Sequence, residues 1–377
     1  MRVLLDASAV PNQPAGAGVY VLELAAELAR RSDLELHLLT RVDDGARWAR
    51  IAPGASTHAR VPTSRPARLL WEQRHGGSLA RELGVDVWHG PHYTMPIGLG
   101  SRHLVIPAAV TIHDLTFFDH PRWHERSKVV FFRRAIRAAA RRAAVLVAVS
   151  HHTARGLEGL HPAGEVVVAP HGVDHDRFTP GLRGDADDLA CLRTIGAAPP
   201  YLAFAGTLEP RKDVERLVDA FARLAPRHPD LRLVLAGNDG WGTSAVREAV
   251  ARSGVTTRIL RPGYVPATVL PALYRQAEVV AYPSLDEGFG LPALEALACG
   301  AAVVTTAGTA MEEVAGEAAV LVPPGDTDAL TDALTRLLND PRAADARRAA
   351  GPTRASAFTW TASADQHLEA YRRAAMR

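Results

Sequence analysis

Short continuous runs of apolar residues alternate, through most of the chain, with longer stretches whose apolar residues recur every three or four positions. The first pattern predicts strands covered on both faces, and the second predicts helices that lay one apolar stripe on a sheet. Strands are expected at 3–5, 35–39, 85–89, 108–112, 145–149 and 165–169, with helical stretches between most of them. The stretch 19–31 is typical of those helices, with Val21, Leu22, Ala25, Leu28 and Ala29 along one side. Strand and helix in alternation predict a parallel sheet wound on both faces.

The alternation breaks once. After the turn-rich PHGVDHDRFTPG at 170–181 come a polar, acidic segment at 183–192, the pair Pro199 and Pro200, and a fresh apolar run at 201–206. Strands are then expected at 231–236, 258–260, 277–282, 301–305 and 318–322. Val214, Leu217, Val218, Phe221 and Leu224 repeat at helical spacing behind Asp213, a residue able to cap that helix. Helical stretches at 326–338, 342–356 and 361–376 follow. A length of 377 residues accommodates two domains of ordinary size, so the chain reads as two α/β units.

Composition acts mainly by exclusion. Hydrophobic residues make up 47% and charged residues 22%, which is ordinary globular usage. A net charge of +2, with no basic stripe interleaved with stacking aromatics, argues against nucleic acid. Cys191 and Cys299 form neither a disulfide framework nor a metal-ligand spacing, and a reduced, cytoplasmic setting follows. MRVLLDASAV is broken by Asp6 and reads as a first strand, not a signal peptide. No uncharged run reaches the roughly 18 residues that a membrane helix requires.

The chemistry concentrates at 277–306, where the loop SLDEGFG joins a strand to a helix. Gly288 and Gly290 allow positive φ and a close approach of a bound group to the amides. Pro292 suits the first helical turn, and Gly300 is placed to end the helix. Glu287 in the loop and Glu295, expected in the first turn, can border one pocket, because helical side chains lean toward the N-terminus. The free amides there favour an anion such as a diphosphate, while carboxylates suit neutral hydroxyls on either side of it. Sugar, diphosphate and ribose are the parts of a sugar nucleotide. The plainer alternative makes Glu287 a loop charge and Glu295 a solvated helix residue. Arg211 and Lys212 precede the helix near Asp213, and cations at a helix start are unfavourable unless an anion lies between them.

DEGFGLPALEALACG, at 286–300, closely resembles the signature of the retaining GT-B glycosyltransferases of glycosyltransferase family 4. GTLEPRK, HDL and PHY together look most like its bacterial mannosyl- and rhamnosyltransferases. The resemblance implies an α/β fold of two doubly wound, Rossmann-like domains facing each other across a cleft. Residues 1–175 would form the acceptor side, 176–358 the nucleotide-sugar donor domain, and 359–377 a terminal helix crossing back. It implies that Glu287 lies against hydroxyls of the transferred sugar, that Glu295 holds the ribose, and that the amides of Gly288, Phe289, Gly290 and Leu291 lie near the diphosphate. Lys212 and Arg211 are implied to hold that diphosphate, and His113 to reach the donor sugar near its 6-hydroxyl. Thr207 stands where many members have arginine, so Arg211 has to supply that charge. The backbone around Val265, in GYVP at 263–266, falls where the family binds the base. Gly16 and Gly18 match a glycine-rich loop facing the diphosphate and acceptor. A nicotinamide fingerprint there lacks its third glycine, and a simple strand-to-helix turn stays open as the alternative. One departure is Gly300, Ala301, Ala302 where the family usually has Gly-x-Pro.

The implied reaction moves a hexose by front-face attack, retaining the anomeric configuration. Mannose from GDP-mannose is the first expectation and a UDP-sugar the second, with a hydroxyl of a glycan or lipid-linked acceptor receiving it. A sugar-nucleotide epimerase and a non-catalytic sugar-nucleotide-binding protein are the rival classes. No cofactor and no metal are expected. Of the Asp-x-Asp pairs Asp174/Asp176, Asp326/Asp328 and Asp185/Asp187, none follows an apolar strand. Arg211, Lys212 and the helix start bring about +2.5 against a diphosphate diester of about −2. The helix at 128–142 sets Phe132, Ala135, Ile136 and Ala139 against Arg133, Arg137 and Arg141. That arginine face is either solvated or a peripheral contact with anionic lipid at the inner membrane surface.

Overall fold

The computed structural model of the chain describes residues 1–99 and 106–377. It contains two compact units, one of Met1–Pro121, Arg126–Gly172 and Trp360–Arg377, the other of Arg122–Glu125 and Val173–Thr359.

The first unit is built on seven strands: β1 (Arg2–Asp6), β2 (Glu35–Arg41), β3 (Ser56–Val61), β4 (Val87–Gly90), β5 (Ala108–Ile112), β6 (Val145–Ala148) and β7 (Glu165–Val168). They lie in the order β3-β2-β1-β4-β5-β6-β7, and every pairing is parallel. Central strands read as unbroken apolar runs because neither face meets water; Val3, Leu4, Leu5, Val145 and Val147 are fully buried. β3 has no apolar run to announce it. It is an edge strand, and only Val61 of STHARV is buried.

The helix Trp360–Ala375 packs into this first unit through Trp360, Ala364, His367, Leu368, Tyr371 and Ala374. Hydrogen bonds fasten it to the sheet. The Tyr371 hydroxyl lies 2.7 Å from His89 Nδ1, and His89 Nε2 lies 2.8 Å from Thr111 Oγ1. The Tyr20 hydroxyl bridges Thr111 Oγ1 and His367 Nε2, each at 2.8 Å. The rings of Tyr20, His113 and His171 pack against one another beside this network.

In the helix Arg126–Arg142, Phe132, Ile136 and Ala139 are buried, as the spacing predicts, and Val129 is buried with them, whereas Ala135 is only half-buried. The opposite face is not uniformly solvated. Arg133 donates to the carbonyls of Phe117 and Phe118, at 2.7 and 3.2 Å, and lies over the Phe118 ring. Arg134, Arg137 and Arg141 are exposed.

The second unit carries β8 (Tyr201–Ala205), β9 (Arg232–Ala236), β10 (Ile259–Gly263), β11 (Val279–Tyr282), β12 (Val303–Thr306) and β13 (Val320–Val322). Its parallel sheet has the order β10-β9-β8-β11-β12-β13. The chain therefore leaves β8 toward one edge and β11 toward the other. Their carboxyl ends flank the topological switch point, where sheets of this kind bind ligands. Arg211 and Lys212 lie in the turn after β8, and Glu287 in the loop after β11.

Candidate active site

The turn after β8 is a short 3₁₀ stretch, Pro210–Lys212, and Asp213 follows it at φ +51. Asp213 occupies the N-cap position of the helix Val214–Leu224, but its side chain does not cap. A left-handed backbone turns the carboxylate away to Arg216, 2.7 Å distant. Burial raises the Asp213 carboxyl to about 6, and Arg216 opposes the rise. The carbonyl of Arg211 accepts from the amide of Leu285 at 2.8 Å, which ties the turn to the loop after β11.

Within that loop Gly290 adopts φ +100, and a Cβ there would meet Met311 Cγ at 2.7 Å. Glycine is required twice over, for conformation and for space. The helix Leu291–Ala298 begins at Leu291, with Pro292 in its first turn, and Gly300 at φ +69 follows its end. Glu295 consequently sits in the second turn, not the first. It is buried and accepts a hydrogen bond from the Tyr274 hydroxyl at 3.1 Å, so it is no solvated helix residue.

Glu287 is also buried, and both predicted cations converge on it. Arg211 Nη1 reaches its Oε2 at 2.5 Å, and Lys212 Nζ bonds its Oε1 and the Tyr282 hydroxyl. Burial alone would raise the Glu287 carboxyl, but Arg211 and then Lys212 outweigh it and hold the group at about 2. Burial, and then the charge of Arg211, lower the Lys212 ammonium from its ordinary value. Tyr282 stacks on Phe204 with ring centroids 5.5 Å apart, and feels the charges of both Glu287 and Glu295. The site is thus an ionised carboxylate gripped by two cations against a buried aromatic wall.

Three contributors escape the sequence reading. Tyr282 is legible only as the last apolar residue of a strand. Glu209, two residues before Arg211, takes the Nε side of that guanidinium at 3.2 Å. Two carboxylates therefore offset two cations, and the expected +2.5 shrinks to the helix-start contribution of about +0.5. Ser284 is fully buried, and its Oγ has no partner among the described residues.

The remaining predicted residues fall as follows. Phe289 is buried and meets Phe358 edge-on. Thr207 is half-buried just beyond β8, and Val265 is buried just beyond β10. In the first unit, Gly16 precedes the helix Ala17–Leu28 at φ +49, with open space where a Cβ would point. Gly18 lies in the first turn of that helix and not in the loop before it, and a Cβ there would meet Pro14 Cβ at 3.1 Å. His113 is buried just past β5, with Nε2 2.8 Å from the Pro91 carbonyl oxygen. That oxygen can only accept, so Nε2 carries the proton. Burial lowers the pKa of His113 and keeps it neutral, despite Pro91 and Asp114.

Two parallel α/β units, with paired cations and carboxylates at the second unit's switch point, define a GT-B glycosyltransferase. A family model described as "Glycosyltransferase Family 4" matches residues 14–177, and one described as "Glycosyl transferases group 1" matches 199–340. The chain belongs to the GT-B glycosyltransferases. It is 30% identical to the O-antigen chain mannosyltransferase B of Escherichia coli, an alignment covering 99% of this chain and 100% of the relative. It is 32% identical to a D-inositol 3-phosphate glycosyltransferase of Actinosynnema mirum, over 94% and 91% of the two chains. Among solved structures, the sucrose-phosphate synthase of Thermosynechococcus elongatus superposes with a TM-score of 0.80 at 24% identity, over 98% of each chain. Anabaena HepE, solved in complex with UDP-glucose, gives 0.77 at 20% identity, over 98% of each.

Proposed function

We propose that this glycosyltransferase moves a hexose, with mannose from GDP-mannose the leading donor, to a hydroxyl of a glycan or lipid-linked acceptor, retaining the anomeric configuration. The observation that carries the reading is Glu287 held by Arg211 and Lys212 at the switch point of the second unit. A nucleotide diphosphate sugar suits those groups. Its diphosphate oxygens take over the guanidinium and ammonium, and Glu287 turns to accept from sugar hydroxyls. Cations placed where charge develops on the leaving group stabilise the transition state more than the ground state. Glu295 accepts from the ribose, and the amides at Gly288–Leu291 face the diphosphate. His113, protonated on Nε2, keeps Nδ1 to accept from the 6-hydroxyl. The mannosyltransferase name of the E. coli relative supports mannose. The names of the inositol phosphate relatives favour a phosphorylated polyol as the second acceptor class.

The test is incubation with labelled GDP-mannose and UDP-glucose, with and without a lipid and glycan extract. Acceptor-dependent release of GDP and an α-linked mannosyl product are expected. Interconversion of donors without acceptor would identify an epimerase, and binding without turnover a sugar-nucleotide-binding protein. Either result, or turnover of UDP-glucose alone, would overturn the reading.

Peripheral membrane contact belongs to the same proposal. Arg134, Arg137 and Arg141 are exposed on one helix with half-exposed Val130, the make-up of a surface that meets anionic lipid. The described residues include no helix long and apolar enough to cross a membrane. Sedimentation with phosphatidylglycerol vesicles but not with phosphatidylcholine vesicles is expected. Equal sedimentation with both would remove the lipid role.

A further inference from the structure

The first unit's sheet has its own switch point, between β1 and β4, since the chain leaves β1 toward one edge and β4 toward the other. Two carboxyl groups are buried there. Asp6 ends β1 with 6% exposure, and its Oδ1 accepts from the amide and hydroxyl of Ser8 at 3.0 and 2.5 Å. Glu72 projects from the helix Arg65–Glu82 with 2% exposure. Its Oε2 accepts from Thr94 Oγ1, in the turn after β4, at 3.2 Å.

Glu72 Oε1 is buried and has no hydrogen-bond partner among the described residues. Trp88 packs the far edge of its ring under Gly76 of the same helix. A buried acceptor left unsatisfied costs stability. In native proteins such groups are few, and they are met by a water, an ion or a ligand or mark a functional site.

We propose that Asp6 and Glu72 form a hydroxyl-binding subsite for the glycosyl acceptor, in which Glu72 Oε1 and the Asp6 carboxyl meet one acceptor hydroxyl, one giving and one taking a hydrogen bond. The proposal rests on the glycosyltransferase reading above. Neighbouring buried carboxyls served by one cation do not both ionise, so they share a proton. The cation is Arg68, one turn earlier on the helix and partly exposed, whose charge reaches Asp6, Glu72 and His92. Burial, then Asp6, push the Glu72 carboxyl up to about 8, against Thr94 and Arg68. Burial raises Asp6 too, against Ser8 and Arg68. His92, brought down to about 3 by burial, adds no charge near neutrality. A pair holding one proton and one negative charge fits a neutral sugar hydroxyl and repels a phosphate. Both residues are positioning residues, since neither touches the reacting carbon.

The experiment measures transfer from GDP-mannose to octyl α-mannopyranoside, with hydrolysis of the donor followed in the same samples. Glu72→Ala and Asp6→Ala are expected to raise the acceptor KM about tenfold or more, well beyond any change in donor KM. Glu72→Gln keeps a donor and is expected to restore the acceptor KM near neutral pH. The wild-type acceptor KM rises above about pH 8 as Glu72 loses its proton, while that of Glu72→Gln stays flat. A purely structural role would not produce that contrast. If the alanine variants fail to fold, the wild-type and Glu72→Gln profiles decide alone. Parallel pH profiles, an unchanged acceptor KM, or donor hydrolysis with no transfer to the mannoside would overturn the subsite. A wild-type protein that neither binds nor hydrolyses a nucleotide sugar would overturn the underlying function instead.

Discussion

Glu287 shows how far one side chain depends on its neighbours. A carboxylate buried alone takes up a proton, yet Arg211 and Lys212 hold this one down at about 2, ionised near neutrality. Its work is therefore to hold and be held, not to exchange protons. On the proposed function, Glu287→Gln weakens its bonds to both cations and to the sugar hydroxyls, and Lys212→Met removes charge needed most as the diphosphate leaves. Each is expected to lower kcat by about a hundredfold or more. Near-normal turnover in both variants, with native circular dichroism, would sink the site. Gly290 makes a different demand at the same loop. Gly290→Ala forces a Cβ onto φ +100 and against Met311, and is expected to cost about 1–3 kcal/mol, read as a lower Tm. An unchanged Tm would mean that the loop relaxes freely.

At the scale of elements, apolar periodicity announces the helix Trp360–Ala375, but not its partners. His367, Tyr371, His89, Thr111 and Tyr20 form one buried network, assembled from positions up to 347 residues apart in sequence. Burial, then neighbouring histidines, hold His89 and His171 well below their ordinary pKa, and burial brings His367 to about 4. The folded state thus refuses protons that the unfolded chain accepts near pH 6.5. Stability is full above about pH 6.5 and is lost as pH falls toward 4. A Tm that drops through this window is expected, with a shallower drop in His367→Gln. A flat profile would show that these imidazoles charge in place. What is missed or misplaced has separate local causes. β3 lies at an edge and carries no apolar run, and Asp213 takes a left-handed backbone that its residue type does not announce.

For the molecule as a whole, charge balance decides whether donor binding needs a cation. The first residue of each Asp-x-Asp pair is engaged locally. Asp174 accepts from the amides of Asp176 and Arg177, Asp185 from those of Asp187 and Asp188, and Asp326 from that of Ala329. These bonds occupy one carboxylate oxygen in each pair, and Glu209 beside Arg211 weakens the simple charge count. Activity is expected to survive excess EDTA after exhaustive dialysis. Loss of activity, with recovery on adding magnesium or manganese, would place a metal where Arg211 and Lys212 were taken to suffice.

What the chain order determines by itself is the local and the periodic. Buried parallel strands, crossing helices and the glycines of a strand-to-helix turn follow from short-range sterics and apolar spacing, and they are legible at Tyr282–Gly300 and Pro210–Leu224. Which loops share a switch point is another matter. Lys212 and Glu287 stand 75 positions apart, and Asp6 and Glu72 come from a strand and a helix of the first unit. Strand order decides those meetings, and with them which carboxylate is ionised and which keeps its proton. Desolvation and neighbouring charge set a pKa, and both are properties of the packed structure.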